Sequence, residues 1–180
     1  MEVFCILLSK KRFTIRNLIF NMQVEKANIT DNEILTAITK KSKAYWGYSE
    51  EQILKWSTNL TVTQDYIKEN RTFKLIKENT IIGYYSYILK EEKIVKLDNL
   101  FVLPEYIGKG FGKYLMDDFL SRMREEEIEK VTLDSEPNAE KFYLKIGFKK
   151  IGEVETSIKN RFMPIMEMNL KEEESNRVNL

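Results

Sequence analysis

The stretch LDNLFVLPEYIGKGFGKYLMDDFLSRM, residues 97–123, constrains the fold of this chain more than any other. Its opening residues read as a strand, which Pro104 must end because it cannot donate a ladder hydrogen bond. Its second half places Phe111, Leu115, Phe119 and Met123 at helical spacing, with Met116 and Leu120 beside them. That pattern predicts a helix to about Glu127 that buries one face. Between the two lie Gly108, Gly110 and Gly112, three of the seven glycines of the chain, with Lys109 and Lys113 among them. Whatever fold forms must pass from a strand into a long packed helix through a turn of bare backbone.

The flanking segments supply the rest of a layered domain. MQVEKA, from Met22, alternates like a strand. Thr30 and Glu33 have capping-box spacing for a helix to about Lys43, with Ile34, Leu35 and Ile38 as its stripe. Ser49 with Gln52 starts a second helix carrying Ile53, Leu54 and Trp56, and QDYIKE reads as a short third. Three strand-like runs follow, RTFKLIK, TIIGYYSYILK and KIVKLDNLFV, joined so briefly that they must be antiparallel hairpins. After the long helix come the strand KVTLD and a helix over NAEKFYLKIG. Ala139, Phe142, Tyr143 and Ile146 line that helix, and Gly147 stops it. Two further strands, FKKIGEVE and RFMPIMEMNL, complete the order. The expected fold is α+β, or mixed α/β, with one central sheet of about six to seven strands flanked by helices. Residues 22–170 form the domain, 1–21 a leader of uncertain structure with Met22 as an alternative start, and 171–180 a polar tail.

Composition narrows the chemistry. The chain has no histidine, which excludes Ser/His/Asp and Cys/His nucleophiles and His-bound metals. Its single cysteine, Cys5, excludes an internal disulfide and a Cys-rich zinc site, and suits a reducing cytoplasm. No metal is expected. A net charge of +1 gives no whole-chain case for nucleic acid or an anionic membrane, so any anion preference must be local. The apolar run VFCILL falls far short of the ~20 residues of a membrane span. Basic residues follow that run and do not precede it, unlike a signal peptide. A homodimer through strand edges near the C-terminus is compatible with the pattern.

A helix start leaves several amides unpaired, and its dipole favours negative charge there. Glycines let a bulky anion reach those amides, and Lys109 and Lys113, four apart, are expected on one side of the first turn. The turn therefore suits a phosphate or pyrophosphate. A Walker A loop needs one more residue between Gly108 and Gly112-Lys113 and then Ser or Thr, where this chain has Tyr114. The dinucleotide loop G-x-G-x-x-G also misses by one.

The order of LDNLFV, G-K-G-x-G-K, long helix, strand and PNAEKFYLKIGF resembles the GNAT superfamily of acetyl-CoA-dependent N-acetyltransferases. The resemblance spans residues 22–170 in element order and is sharpest over residues 96–148. The superfamily's phosphate loop reads Gln/Arg-x-x-Gly-x-Gly/Ala; Gly110 and Gly112 match it, and Ile107 stands at the Gln/Arg position. The resemblance implies acetyl-CoA as co-substrate. It implies that Leu100, Phe101 and Val102 bind the acetyl and pantetheine arm through their backbone. The segment Gly108, Lys109, Gly110, Phe111, Gly112 and Lys113 would hold the pyrophosphate, and Asn138 and Tyr143 would meet the cofactor arm and its sulfur. Each has a plainer reading: LFV as core strand, Asn138 as a helix N-cap, Tyr143 as part of an apolar stripe.

Acetyl transfer to an amine requires a neutral nucleophile, and neutralising an alkylammonium at pH 7 costs roughly 4 kcal/mol unless a base accepts the proton. Without histidine, that base is Asp, Glu, Tyr or water. Asp98, alternating with Leu97 and Asn99 beside the cofactor strand, is the first candidate, against a surface carboxylate. A backbone amide near Phe101 would meet the oxyanion, and Tyr143 would protonate the thiolate. Tyr45, Trp46 and Tyr48 either line an acceptor pocket or pack a helix junction. The leading expectation is an N-acetyltransferase for a small-molecule or peptide amine. The alternative is a catalytically silent acyl-CoA-binding sensor; a nucleotide-binding protein is a third.

Overall fold

The computed structural model describes residues 22–171 apart from 157 and 159. The expectations for the leader 1–21 and for the tail beyond Lys171 lie outside the described residues. Seven strands form one sheet in the order β1-β2-β3-β4-β5-β7-β6. They are β1 Met22–Lys26, β2 Arg71–Lys77, β3 Thr80–Glu91, β4 Ile94–Val102, β5 Lys130–Asp134, β6 Lys149–Glu155 and β7 Phe162–Asn169. The helices are α1 Asn32–Tyr45, α2 Glu50–Lys55, α3 Gln64–Glu69, α4 Phe111–Glu125 and α5 Glu140–Ile146. The mixed α/β architecture expected from the sequence is the one observed.

Strands β1 to β4 form an antiparallel meander. Its β2–β3 turn uses Glu78 and Asn79 at φ 50° and 63°, both left-handed, which matches the twist of a tight hairpin. Only β4 and β5 run parallel, because α4 carries the chain over one face between them. β7 then inserts antiparallel between β5 and β6.

Alternation along β3 divides the core. Tyr85 and Tyr87 face α4, where Leu115, Met116, Phe119 and Met123 are buried against them. Burying each such side chain contributes about 1.5–3 kcal/mol. Tyr84 points to the opposite face and packs with Leu35 and Ile38 of α1 and Ile67 of α3. Gly83 lies between: a Cβ there would sit 2.7 Å from the Phe101 carbonyl oxygen and 3.2 Å from Leu115 Cδ1. The close approach of α4 to the sheet depends on that bare position.

Several boundaries differ from expectation. Asn28 and Asp31 form the reciprocal capping box around a short 3₁₀ turn, so Thr30 does not cap the first helix. Ile34 of α1 is exposed, while Thr39 and Ser42 are buried with Leu35 and Ile38. Their hydroxyls find partners on the sheet, which an apolar-stripe reading does not anticipate. Helix α2 buries none of its residues, and Leu54 is exposed. Asn138 belongs to a 3₁₀ turn over Pro137–Ala139, and α5 starts two residues later than expected. Gly147 ends α5 at φ 114°.

Candidate active site

Helix α4 begins at a mouth of free backbone. Its N-cap is Gly110, at φ 90°, and no side chain caps the helix. No acidic residue stands in the first turn. Gly108 is also left-handed, at φ 76°, and a Cβ at either glycine would meet nothing within 4 Å. The mouth is therefore open to a large anion, with the first N–H groups of the helix and its dipole unanswered by any described side chain. Because α4 starts at Phe111, Lys109 precedes the helix and does not share its first turn with Lys113, contrary to the four-residue spacing argument. Lys113 forms an exposed ion pair with Asp117, a type of contact worth ~0–1 kcal/mol and readily shared with a phosphate. Phe111 packs edge-on against Tyr106, so its amide and not its ring is the group at the mouth.

Next to the mouth, the sheet forks. β4 pairs with β5 only through Ile94, Val95 and Lys96, although its pairing with β3 continues to Val102. Residues 97–102 consequently present an edge with no strand of the described residues on the β5 side. Leu103 N donates to Ile82 O, which sets the phase of the antiparallel ladder. By its alternation, Phe101 bonds within the ladder, while the polar backbone groups of Leu100 and Val102 face the gap. The Val102 carbonyl already accepts the Ser42 hydroxyl of α1, at 2.7 Å. The Leu100 backbone and the Val102 amide remain to pair with an extended amide-bearing chain.

The fork and the helix mouth open into one cleft of ≈ 720 Å³. Leu100, Phe101, Val102, Gly108, Gly110, Gly112, Asn138 and Tyr143 all line it. Its size, its unpaired strand edge and its uncapped helix suit a pantetheine arm ending in a diphosphate. The family model for the acetyltransferase (GNAT) domain matches residues 45–171.

The chain belongs to the GNAT acetyltransferase family.

As a GNAT member it is an acyltransferase that uses acetyl-CoA as its acetyl donor. It is 31% identical over 106 residues to a [ribosomal protein bS18]-alanine N-acetyltransferase of Haemophilus influenzae, covering 57% of this chain and 70% of that relative. Among solved structures, the PaiA N-acetyltransferase of Thermoplasma acidophilum, in complex with coenzyme A, matches with a TM-score of 0.69 and 24% identity. That match covers 82% of this chain and 98% of the other. The ribosomal-protein-S18-alanine N-acetyltransferase of Escherichia coli matches with a TM-score of 0.64 and 15% identity, over 83% and 94% of the two chains. At these identities both structures attest the fold alone.

Within the GNAT cleft the sequence-read residues fall into place unevenly. The Tyr143 ring is buried edge-on against Phe142 and Phe148, and its hydroxyl bonds to no described residue. Burial pushes its phenol pKa well above the ordinary value, so it stays a proton donor. Asn138 is exposed in the cleft and does not cap α5, whose N-cap is Ala139. Trp46 lines the cleft, but Tyr45 is 52% exposed outside its wall and touches Trp46 edge-on. Tyr48 packs against Trp56 and donates to Glu136, and so stands behind the wall.

Asp98 occupies a β-bulge: Ser86 pairs with Asn99 and Tyr87 with Leu97, leaving Asp98 as the extra residue. The bulge turns Asp98 and Asn99 to the same face, where both bond Tyr66. Asp134 and Glu136 are the other carboxylates lining the cleft. Lys96 holds Asp134 at 2.6 Å, and Lys43, Tyr48 and Arg161 surround Glu136. Burial pushes Glu136 up, but those three partners outweigh it and hold the carboxyl below the usual range. Burial and the bond to Glu136 push the Tyr48 phenol up to about 12. Asp98 alone of the three has no cation in ion-pair contact among the described residues.

Sequence reasoning passed over Tyr66, Ser86 and the Glu136 cluster. Nothing in their local pattern marks them, because each works through a partner at least twenty positions away. The one available signal was the polar pair Asp98 and Asn99 inside a strand whose only other polar residue is Lys96.

Proposed function

We propose that the enzyme moves the acetyl group of acetyl-CoA directly to the primary amine of a small molecule or peptide, with both substrates in the cleft together. The observation that carries this reading is the forked β4 edge opening onto an uncapped helix mouth. The amides at Gly108, Gly110, Phe111, Gly112 and Lys113 would hold the diphosphate, the Lys109 amide being already donated to the Tyr106 carbonyl, and Leu100 and Val102 would pair with the arm. The Val102 amide, free on the gap side, is placed to stabilise charge on the thioester oxygen.

Asp98 is the proton acceptor in this reading, because a carboxylate already neutralised by Lys or Arg is the poorer base. The neutral amine forms the new C–N bond as the C–S bond breaks. Its proton goes to Asp98, and Tyr143 gives its proton to the departing sulfur. Asp98 then releases a proton to solvent and Tyr143 regains one, leaving an amide and a free thiol. Trp46 and Lys43 form the acceptor-side wall with residues 59–62. Cysteine usage supports a cytoplasmic enzyme.

The test is thiol release from acetyl-CoA with a panel of amines that includes a peptide with an N-terminal alanine, the acceptor named for the Haemophilus relative. Acceptor-dependent thiol release is expected. Tight coenzyme binding without release on any amine would leave a silent binding module.

A further inference from the structure

The phenol of Tyr66, on α3, donates to Asp98 Oδ2 at 2.5 Å. Its single proton is thereby committed, so Ser86 Oγ, 2.7 Å away, donates to the phenol oxygen. Asn99 Nδ2 lies 2.8 Å from that same oxygen, 2.9 Å from Ser86 Oγ and 3.2 Å from Asp98 Oδ2. The phenol is saturated: one bond donated, two accepted. The phenol proton is directed at Oδ2 and the donors behind it at the phenol oxygen, while Oδ1 of Asp98 bonds to no described residue. Ser86 is fully buried on β3 and anchors the far end.

Two further contacts hold Tyr66 itself. Thr63 caps α3 by accepting the Tyr66 amide at 3.0 Å. Thr36 of α1 donates to the Val62 carbonyl and accepts its amide, tying the segment before α3 to the helix beside it. Burial and Asp98 together push the Tyr66 phenol well above its ordinary value, so it remains a donor over the working range.

We infer that Tyr66 is a positioning residue that, with Asn99 and Ser86, clamps one oxygen of Asp98 and aims the other at the acceptor nitrogen. The inference rests on the reading of Asp98 as proton acceptor. A carboxylate on a β-bulge has rotational freedom about its own side chain. Locking Oδ2 removes that freedom and leaves a single basic oxygen facing the cleft. The titratable groups that meet Asp98 are Tyr66 from α3 and Tyr84 from β3; Asp134 and Glu136, with their own cations, are the remaining carboxylates of the cleft.

The experiment compares Tyr66→Phe, Asp98→Asn and the double variant by steady-state kinetics, separating kcat from KM, using the best amine of the panel. Phenylalanine keeps the ring packing of Tyr66, and thermal melting checks the fold. Tyr66→Phe should lower kcat about tenfold with the KM for acetyl-CoA unchanged. The double variant should be no slower than Asp98→Asn. Ser86→Ala, which spares the phenol–carboxylate bond, should lower kcat the same way but less. Wild-type turnover in Tyr66→Phe would overturn the clamp while leaving the base intact. Wild-type turnover in Asp98→Asn would overturn the base, and the clamp with it.

Discussion

Ser42 on α1 donates its hydroxyl to the carbonyl of Val102 on β4, across sixty positions of sequence. Ser42 is 3% exposed, and Val102 is one of the residues whose backbone faces the fork. The bond ties a helix to the open strand edge and satisfies a carbonyl that has no strand partner. Ser42→Ala should destabilise the fold by about 1–2 kcal/mol, since it leaves a buried acceptor unpaired. Urea unfolding measures this, and an unchanged midpoint would show that solvent or another donor replaces the hydroxyl.

Gly110→Glu should weaken acetyl-CoA binding by at least ~100-fold, because like-charge contact costs several kcal/mol. The φ of 90° at this position adds backbone strain for any side chain. Gly110→Asn separates the two effects, since asparagine tolerates the left-handed region. It should retain more affinity than the glutamate variant. Isothermal titration with acetyl-CoA reads both; equal affinity in Gly110→Glu and wild type would remove the phosphate cradle.

Tyr143→Phe should cut kcat by ~10²-fold or more, the ordinary contribution of a general acid, with little change in coenzyme affinity. Because burial raises the Tyr143 pKa, its proton persists to higher pH than that of a free phenol. The wild-type rate should therefore rise with pH as the amine deprotonates, with no decline below pH ~10. A fall in rate well before that would assign proton donation to another group.

Glu136→Gln should cost about 3 kcal/mol at pH 7, the scale for breaking one side of a largely buried ion cluster. The folded protein holds this carboxyl below its ordinary pKa, so its stabilisation is present above ~4.3 and is lost as pH falls through the folded value. The stability gap between wild type and variant should narrow as pH falls below the ordinary glutamate value and close once it passes the lowered folded value. Chemical unfolding at a series of pH values tests this; a gap independent of pH would mean that the charge contributes little.

The elements themselves were legible in the sequence because they follow from local periodicity and punctuation. Residues 111, 115, 119 and 123 share one helix face whatever surrounds them, and that face proved to be buried. Glycines at 108, 110 and 112 marked a turn of bare backbone, and Gly108 and Gly110 adopt left-handed conformations in it. The resemblance to GNAT enzymes also lay in such local order, and the family match agrees.

Placements of single polar side chains were not legible. Alternation along β4 assigns Asp98 and Asn99 to opposite faces, yet the bulge turns both toward Tyr66. Tyr45, Trp46 and Tyr48 are near neighbours in sequence, but only Trp46 reaches the cleft wall. Thr39 and Ser42 look like interruptions of a helical stripe until Tyr84 and Val102 appear opposite them.

The sequence by itself determined the strand–turn–helix unit and the kinds of group available for chemistry, since both depend on neighbours within a few residues. Only the tertiary structure decided how far β4 and β5 stay paired and which carboxylate goes without a cation. Those outcomes depend on hydrogen bonds and ion pairs between segments dozens of residues apart, which no local pattern records.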